Sequence, residues 1–287
     1  MSSSHSVTIS IPGTSANLGP GFDCFGVALG LSNEVTIKKE TSLALHPPII
    51  EDAALLFFKK TGLPAFPFSI SVAGHVPSSR GLGSSVTIRL GVLQGLNELT
   101  DRPLNPSELY HLCTALEGHG DNAAPAIFGG FTMARHNREP LRYAVSPELC
   151  FILLIPNFEV ATSAARELLP KTITTLEAAA NAADAAVIAT AFATQDYTLL
   201  RGAFKDRLHQ PYRLPLVPFL PNIIETAEAA GALGGWLSGS GSTIALLAEE
   251  KSITERVLAA VTKISPEKSQ IVLTVSNNLG AQVTHLD

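Results

Sequence analysis

One nine-residue loop carries the residue types that bind phosphate groups in proteins. It reads Pro77-Ser78-Ser79-Arg80-Gly81-Leu82-Gly83-Ser84-Ser85. Its glycines let the backbone approach a ligand closely, its serine hydroxyls can reach an oxygen or a Mg²⁺ ion, and Arg80 adds positive charge. The loop lacks the lysine of a Walker A loop and the third glycine of a dinucleotide-binding loop. On its own, the pattern fits either a phosphate site or a plain turn before a helix.

The elements on both sides determine how this loop is presented. Apolar and small polar residues alternate over residues 68–72, which predicts a half-buried strand. After the loop, apolar residues recur every three to four positions up to Leu99, which predicts a helix. Ser84 and Ser85 are expected at the N-cap and in the first turn of that helix. Because the N–H groups of a first helical turn lack partners and that end of the helix dipole is positive, the junction can hold a phosphate.

Two further segments carry polar residues that could complete a site. A small-residue loop at 12–23 presents Asn17 and Asp23, and a helix predicted at 106–117 ends at Glu117. A glutamate beside a phosphate loop has the chemistry of a hard oxygen ligand for Mg²⁺. The structural alternatives are a glycine-rich surface loop and a solvated helix end.

The other candidate residues follow later in the chain. Asp121 and Asn122 lie in a segment that also fits a simple turn, and Arg166 and Arg213 belong to the second half. The planar fork of an arginine matches a carboxylate. A lone arginine is more often a surface residue with a weak partner.

The remaining pattern mixes strands and helices along the whole chain. Further strands are predicted at residues 7–11, 25–29, 34–38, 150–155, 244–247 and 271–275. Further helices are predicted at residues 52–61, 161–170 and 175–194. The last of these is rich in alanine, which predicts close packing against a neighbouring helix.

Composition excludes several classes of protein. The chain has 287 residues, 46% of them hydrophobic, and a formal charge of −5, with no basic run of the kind that binds nucleic acid. Its three cysteines form no metal or disulfide pattern. Residues 1–6 do not form a signal peptide, and no apolar run reaches the length of a membrane span. We therefore expect a cytoplasmic enzyme that binds neither nucleic acid nor membrane, and we expect a homodimer.

The loop at 77–85 resembles the central motif of the GHMP small-molecule kinases. The opening segment Pro12-Gly13-Thr14-Ser15-Ala16-Asn17-Leu18-Gly19-Pro20-Gly21-Phe22-Asp23 is similar to that of the homoserine kinases among them, with Gly13 where alanine is usual. Residues 117–126 are similar to a Glu-Gly-His-Pro-Asp-Asn-x-x-Pro-Ala segment, with Gly120 in place of proline. Segments around Arg166, Arg213 and residues 231–243 also match, in the family's order.

The resemblance implies a fold that periodicity alone could not supply. It implies a two-domain α+β GHMP kinase fold, with an N-terminal domain like domain 2 of ribosomal protein S5 and a ferredoxin-like C-terminal domain. We place these domains at residues 1–148 and 149–287. The active site is expected between them, where the turn at 81–83 and the segment at 13–22 fold against each other.

The resemblance also implies a reaction, which is transfer of the ATP γ-phosphoryl group to the hydroxyl of L-homoserine in threonine biosynthesis. The loop at 77–85 would bind ATP, and Ser85 and Glu117 would hold Mg²⁺. The substrate-binding residues would be Asn17, Asp23, Arg166 and Arg213. The catalytic candidates are Asn17 and Asn122, which would orient the hydroxyl, and Asp121, which could act as a base.

Two alternatives remain open on the sequence alone. One is another GHMP kinase acting on a different small alcohol, and the other is a non-catalytic nucleotide-binding regulator with the same fold. If the pair that Arg166 forms with the substrate is buried, replacing it by alanine is expected to raise the KM for homoserine by the equivalent of about 2–4 kcal/mol.

Overall fold

The computed structural model describes residues 5–42, 44–136 and 138–287. Within these ranges the strands are β1 (Ser6–Ala16), β2 (Phe25–Lys39), β3 (Phe68–Gly74), β4 (Phe131–Arg135), β5 (Arg138–Tyr143), β6 (Cys150–Ile155), β7 (Gly234–Leu237), β8 (Ile244–Ala248), β9 (Gln270–Thr274) and β10 (Gln282–Leu286). The α-helices are α1 (Pro48–Thr61), α2 (Ser84–Leu99), α3 (Pro106–Glu117), α4 (Ala123–Phe128), α5 (Thr162–Glu167), α6 (Thr175–Thr194), α7 (Gln210–Arg213), α8 (Leu220–Ala229) and α9 (Lys251–Thr262).

The strands form two antiparallel sheets. The first has the order β10-β1-β2-β4-β5, with β3 also paired to β2, and the second has the order β7-β8-β6-β9. The separate strands predicted at 25–29 and 34–38 are one strand, so that prediction of a break is wrong. The reason is the partner strand, because β1 pairs with β2 from Ser6 opposite Lys38 to Ala16 opposite Gly26.

Three apolar cores fix the two sheets relative to the helices. Alternate residues of β1, such as Val7 and Ile9, are buried against the apolar face of α2, including Leu90 and Leu93. A second core lies between the two sheets, and a third lies beneath α8 and α9. Apolar burial in these cores holds the sheets and helices together, and with them the loops that connect them.

The predicted domain boundary falls in the connection between β5, a strand of the first sheet, and β6, the first strand of the second sheet along the chain. After the second sheet is complete, β10 returns and pairs with β1 of the first sheet, Val7 lying opposite Leu286. The division at residues 1–148 and 149–287 stays a prediction.

Helix α6 has the predicted bounds but differs from its prediction in packing. Only four of its twenty residues are buried, Asn181, Ile188, Ala191 and Phe192. The expectation that its alanines serve close helix packing is therefore wrong for most of the helix. By length and composition alone α6 also passes as a membrane span, contrary to the expectation from sequence, although one such helix is weak evidence. Residues 1–4, on which the signal-peptide argument partly depends, lie outside the described residues.

Candidate active site

The phosphate-type loop ends at a helix that no side chain caps. Gly83, with φ +69°, is the N-cap residue of α2 and offers no side chain to the first turn. The expectation that Ser84 is the N-cap is wrong, since Ser84 is the first helical residue. The N–H groups of this first turn are consequently left for a ligand or solvent.

Two other loops fold directly onto this turn. The backbone N–H of Thr14 donates to Leu82 O at 3.0 Å, and Ser238 Oγ donates to Gly81 O at 2.6 Å. Ser15 Oγ and Ser238 Oγ are 2.7 Å apart, so the two other loops also contact each other. The predicted contact between the turn at 81–83 and the segment at 13–22 is therefore confirmed, and the third glycine-rich segment packs on both.

The three loops border a cavity of about 540 Å³. Fourteen of the residues predicted for the site line it: Asn17, Asp23, Ser78, Ser79, Gly81, Leu82, Gly83, Ser84, Ser85, Glu117, Asp121, Asn122, Arg166 and Arg213. One cavity therefore brings together the phosphate loop, the carboxylates and both arginines.

Two predicted nucleotide-loop residues, Pro77 and Arg80, are not part of this lining. The Arg80 side chain points toward the second sheet, where its Nε donates to Pro156 O at 3.1 Å and its Nη1 lies 3.4 Å from Glu159 Oε1. In this orientation the guanidinium ties the loop to the other half of the chain. The role of Arg80 in ATP binding stays a prediction.

The candidate metal ligands meet at the start of α2. Ser85 Oγ donates to Glu117 Oε2 at 3.1 Å, which joins the first turn of α2 to the last residue of α3. Arg89, one turn further along α2, bonds the other carboxylate oxygen of Glu117. Hydroxyl and carboxylate oxygens are the donors that Mg²⁺ prefers, so this pair of oxygen donors fits that ion.

A buried carboxylate holds the histidine of the next segment. His119 Nδ1 lies 2.5 Å from Asp121 Oδ1, and the N–H of Asn122 also donates to that oxygen, at 2.8 Å. Burial alone would lower the pKa of His119, but the hydrogen bond and negative charge of Asp121 outweigh it and raise the pKa. The Asp121 carboxylate is therefore already engaged by two donors.

The cavity lining also carries one carboxylate and two guanidinium groups, those of Asp23, Arg166 and Arg213. Arg166 donates from Nη2 to Asp23 Oδ1 at 2.8 Å and from Nη1 to Asp23 Oδ2 at 3.0 Å. Arg213 is only 2% exposed, and its Nη1 donates to Gly239 O at 2.9 Å. Burial, followed by the charge of Arg166, lowers the pKa of Arg213 to about 10.

Comparisons with known proteins agree with this geometry. Residues 48–130 match the family model for the GHMP kinases N terminal domain, and residues 188–266 match the model for GHMP kinases C terminal. The homoserine kinase of Moorella thermoacetica is 38% identical over 252 residues, covering 82% of this chain and 85% of that protein. The homoserine kinase of Carboxydothermus hydrogenoformans is 34% identical, covering 96% of each chain. The chain belongs to the homoserine kinase family of the GHMP kinases.

Membership of the homoserine kinase family makes the chain an ATP-dependent kinase with the two-domain GHMP kinase fold. A solved homoserine kinase structure from Cytophaga hutchinsonii superimposes with a TM-score of 0.89 at 24% identity, covering 99% of this chain and 98% of that one. A mevalonate kinase structure has a TM-score of 0.70 at 16% identity. At these identities the structural matches support the fold alone.

Asn17 and Asn122 line the cavity, but their side-chain amides already have hydrogen-bond partners within the protein. Asn17 accepts from Asp23 N at 3.0 Å and donates to Gly239 O at 3.0 Å. Asn122 accepts from Thr14 Oγ1 at 2.7 Å. Both therefore brace the loops, and their contact with a substrate hydroxyl stays a prediction.

Sequence reasoning missed two residues of the site, Arg89 and Phe22. Arg89 was not considered, although its position four residues after Ser85 on a helix predicts the same face. Phe22 was also missed, and both guanidinium groups lie over its ring, that of Arg166 at 5.6 Å and that of Arg213 at 5.4 Å from the ring centroid. Phe22 belongs to the opening segment at 12–23, but its contacts could not be predicted because both partners are more than 140 positions away.

Proposed function

We propose that this chain transfers the γ-phosphoryl group of ATP to the side-chain hydroxyl of L-homoserine, giving O-phospho-L-homoserine and ADP for threonine biosynthesis. One observation carries the proposal: a single cavity joins an uncapped helix N-terminus to a set of charges that matches an amino-acid zwitterion. The curated relatives named homoserine kinase support the same assignment.

The triphosphate would bind along residues 78–85. Backbone N–H groups at the start of α2 suit its negative oxygens, because the helix end is both positive and uncapped. Ser85 and Glu117 would hold Mg²⁺, which when bound neutralises phosphate charge and orients the transferred group. The apolar side chains of Ile49, Ile88 and Leu116 also line the cavity and would contact the adenine base.

The amino acid would bind in the part of the cavity that is lined by Asp23, Arg166 and Arg213. Its carboxylate would pair with Arg213 and Arg166, and its ammonium with Asp23, because each of these groups offers the complementary charge. Arg213 is fixed by hydrogen bonds to backbone carbonyls, which supports its role as the permanent part of the anion site. Asn17 holds the loop that carries Asp23.

The reaction depends on positioning more than on a strong base. The acceptor hydroxyl would lie between the amino-acid end and the phosphate loop, close to Asn122 and Asp121. Because the Asp121 carboxylate already accepts from His119 and from Asn122 N, we propose that the hydroxyl proton passes to the phosphate. Asp121 would act mainly by holding His119 and Asn122 in place.

A coupled assay of ADP formation tests the proposal directly. ADP should form from Mg-ATP only when L-homoserine is added, and much more slowly with mevalonate or with a 4-diphosphocytidyl erythritol substrate. Faster turnover of either competitor would favour another GHMP kinase activity. Absence of transfer to every alcohol, with nucleotide binding retained, would favour a regulator.

The cellular setting belongs to the same proposal. We expect a cytoplasmic homodimer that binds neither nucleic acid nor membrane, in keeping with the net charge of −5 and the lack of a basic run. Light scattering after size exclusion would measure the mass. A value near 30.2 kDa would indicate a monomer and overturn the dimer.

A further inference from the structure

Asp23 and Arg166 neutralise each other in the cavity. Two parallel hydrogen bonds of 2.8 and 3.0 Å join the guanidinium to the carboxylate. The proposed function, on which this inference rests, assigns the same two residues to opposite charges of one substrate. In the free protein each side chain therefore occupies the position that a charge of the substrate must take.

The pair is accessible enough for a ligand to open it. The side chains of Arg166 and Asp23 are 37% and 34% exposed, and exposed pairs of this kind contribute little to stability. Arg166 is in the last turn of the six-residue helix α5, which has no side-chain cap. Asp23 is held at φ +55°, and its N–H donates to Asn17. Asp23 is thus the fixed half of the pair and Arg166 the half that can move.

Arg213 provides a contrast beside this pair. It is buried, its Nε and Nη1 donate to the carbonyls of Ala165 and Gly239, and no carboxylate among the described residues lies within 4 Å of its guanidinium. A buried cation without a paired anion attracts a ligand carboxylate. Both arginines lie over the ring of Phe22, so a carboxylate that reaches Arg213 also lies beside Arg166.

We infer that the Asp23–Arg166 pair is a charge filter, which opens for a ligand carrying an ammonium and a carboxylate on one carbon and disfavours a ligand carrying only one of them. A ligand with only a carboxylate draws Arg166 away and leaves Asp23 unpaired next to a second negative charge. A ligand with only an ammonium leaves Arg166 unpaired next to Arg213. An α-amino acid can pair with Asp23 through its ammonium and with Arg166 through its carboxylate at the same time. Its two charged groups are attached to the same carbon, so they are about as close together as the carboxylate and guanidinium of the pair that it opens.

Two truncated analogues of homoserine test the filter. They are 4-hydroxybutanoate, which lacks the ammonium, and 3-aminopropan-1-ol, which lacks the carboxylate. In Asp23→Asn, Arg166 is free, so 4-hydroxybutanoate should bind about threefold to fivefold more tightly than to the unmodified protein, while homoserine binds about tenfold or more weakly. In Arg166→Gln, 3-aminopropan-1-ol should gain by a similar factor. Ligand-observed NMR titration of each analogue measures these weak affinities.

The controls distinguish a charge filter from an ion pair with only a structural role. They also keep failure of the filter separate from failure of the proposed function. Asp23→Glu and Arg166→Lys keep the charges and should bring no gain for either analogue, and ATP affinity reports whether each variant folds. Equal losses for homoserine and both analogues would overturn the filter, because a structural tether predicts that result. Should one variant fail to fold, the analogue matched to the other decides alone. Failure of the unmodified protein to phosphorylate homoserine would instead reject the proposed function.

Discussion

The guanidinium of Arg89 is bonded to Oε1 of Glu117, while Ser85 Oγ donates to Oε2 of the same carboxylate. The Glu117 side chain is 9% exposed and that of Arg89 21% exposed, so this ion pair is largely shielded from solvent. Arg89 Nε is buried and has no hydrogen-bond partner among the described residues. A proposed metal ligand thus already has an internal cation, which a divalent ion would have to share or displace.

Replacing Arg89 by methionine should increase metal affinity. Because the competing positive charge is removed, Mn²⁺ should bind the nucleotide complex about tenfold more tightly, since a partly shielded charge pair interacts by more than ~1 kcal/mol. Electron paramagnetic resonance of Mn²⁺ measures this affinity without turnover. Arg89→Lys is the matched control and should change it little. Weaker Mn²⁺ binding in Arg89→Met would mean that Arg89 instead orients Glu117 for the metal.

Replacing Glu117 by glutamine should stop turnover while leaving ATP binding largely intact. The neutral amide is a poor ligand for Mg²⁺, and kcat should fall at least about a hundredfold, because changes one shell further out already cost about 10–100-fold. Steady-state kinetics and nucleotide titration measure the two quantities. The exposed Glu255 on α9 supplies the control Glu255→Gln. Full activity of Glu117→Gln would exclude it as an essential ligand.

Arg213→Lys should raise the KM for homoserine more than Arg166→Lys does. Arg213 is buried and donates to two backbone carbonyls, so replacing its guanidinium should weaken homoserine binding by about 2–4 kcal/mol. Arg166 is partly exposed, so the same change there should weaken binding by about 1 kcal/mol or less. The sequence-based figure for Arg166 assumed a buried pair, and that condition is not met. Initial rates at saturating ATP compare the two variants. A larger effect at Arg166 would contradict this ranking.

His209 should make the protein less stable in acid. It is fully buried, and Arg213 donates to its Nδ1, so that nitrogen must keep its lone pair and the ring is neutral. Burial lowers the pKa of His209 to about 4, below the value of about 6.5 in the unfolded chain. Its stabilisation is therefore present above pH 6.5 and is lost as the pH falls from 6.5 toward 4.

Urea unfolding between pH 7.5 and 4 measures this dependence. The pKa difference at His209 corresponds to a loss of up to about 3 kcal/mol over that range. His209→Gln should remove this part of the slope, and His136→Gln, which removes an exposed histidine, is the control. An unchanged slope in His209→Gln would show that His209 is not the responsible group.

Gly81→Ala should weaken both folding and nucleotide binding. A Cβ at Gly81 would lie 2.0 Å from Ser238 O, whereas a Cβ at Gly202 would meet nothing within 4 Å, although both residues have φ near +75°. Gly202→Ala therefore isolates the backbone cost of about 1–2 kcal/mol, and Gly81→Ala should cost about 2 kcal/mol more because the loops must separate. Equal unfolding free energies in the two variants would contradict the close contact.

The local elements around the site could be predicted from the sequence. The helix from residue 106 to Glu117 is bounded as predicted because its signals are local: Asn105 accepts from Glu108 N, proline follows it, and Gly118 ends the helix in the left-handed region. Strand β6 follows from an unbroken apolar run. Where a signal depended on a distant partner, prediction failed, as in the supposed break within β2 and the supposed packing of α6.

The sequence by itself determined the residue types of the site and, through a long and unusual motif, the family. Only the tertiary structure decided which groups contact each other: that Arg80 donates to Pro156 O, that Arg89 and Ser85 share Glu117, and that Asp23 is paired with Arg166. Whether a segment forms a helix or a strand depends largely on residues that are close to it in the sequence, as in α3. The partner of a charge is decided by contacts across about 30 to 140 positions, which depend on the packing of the whole chain.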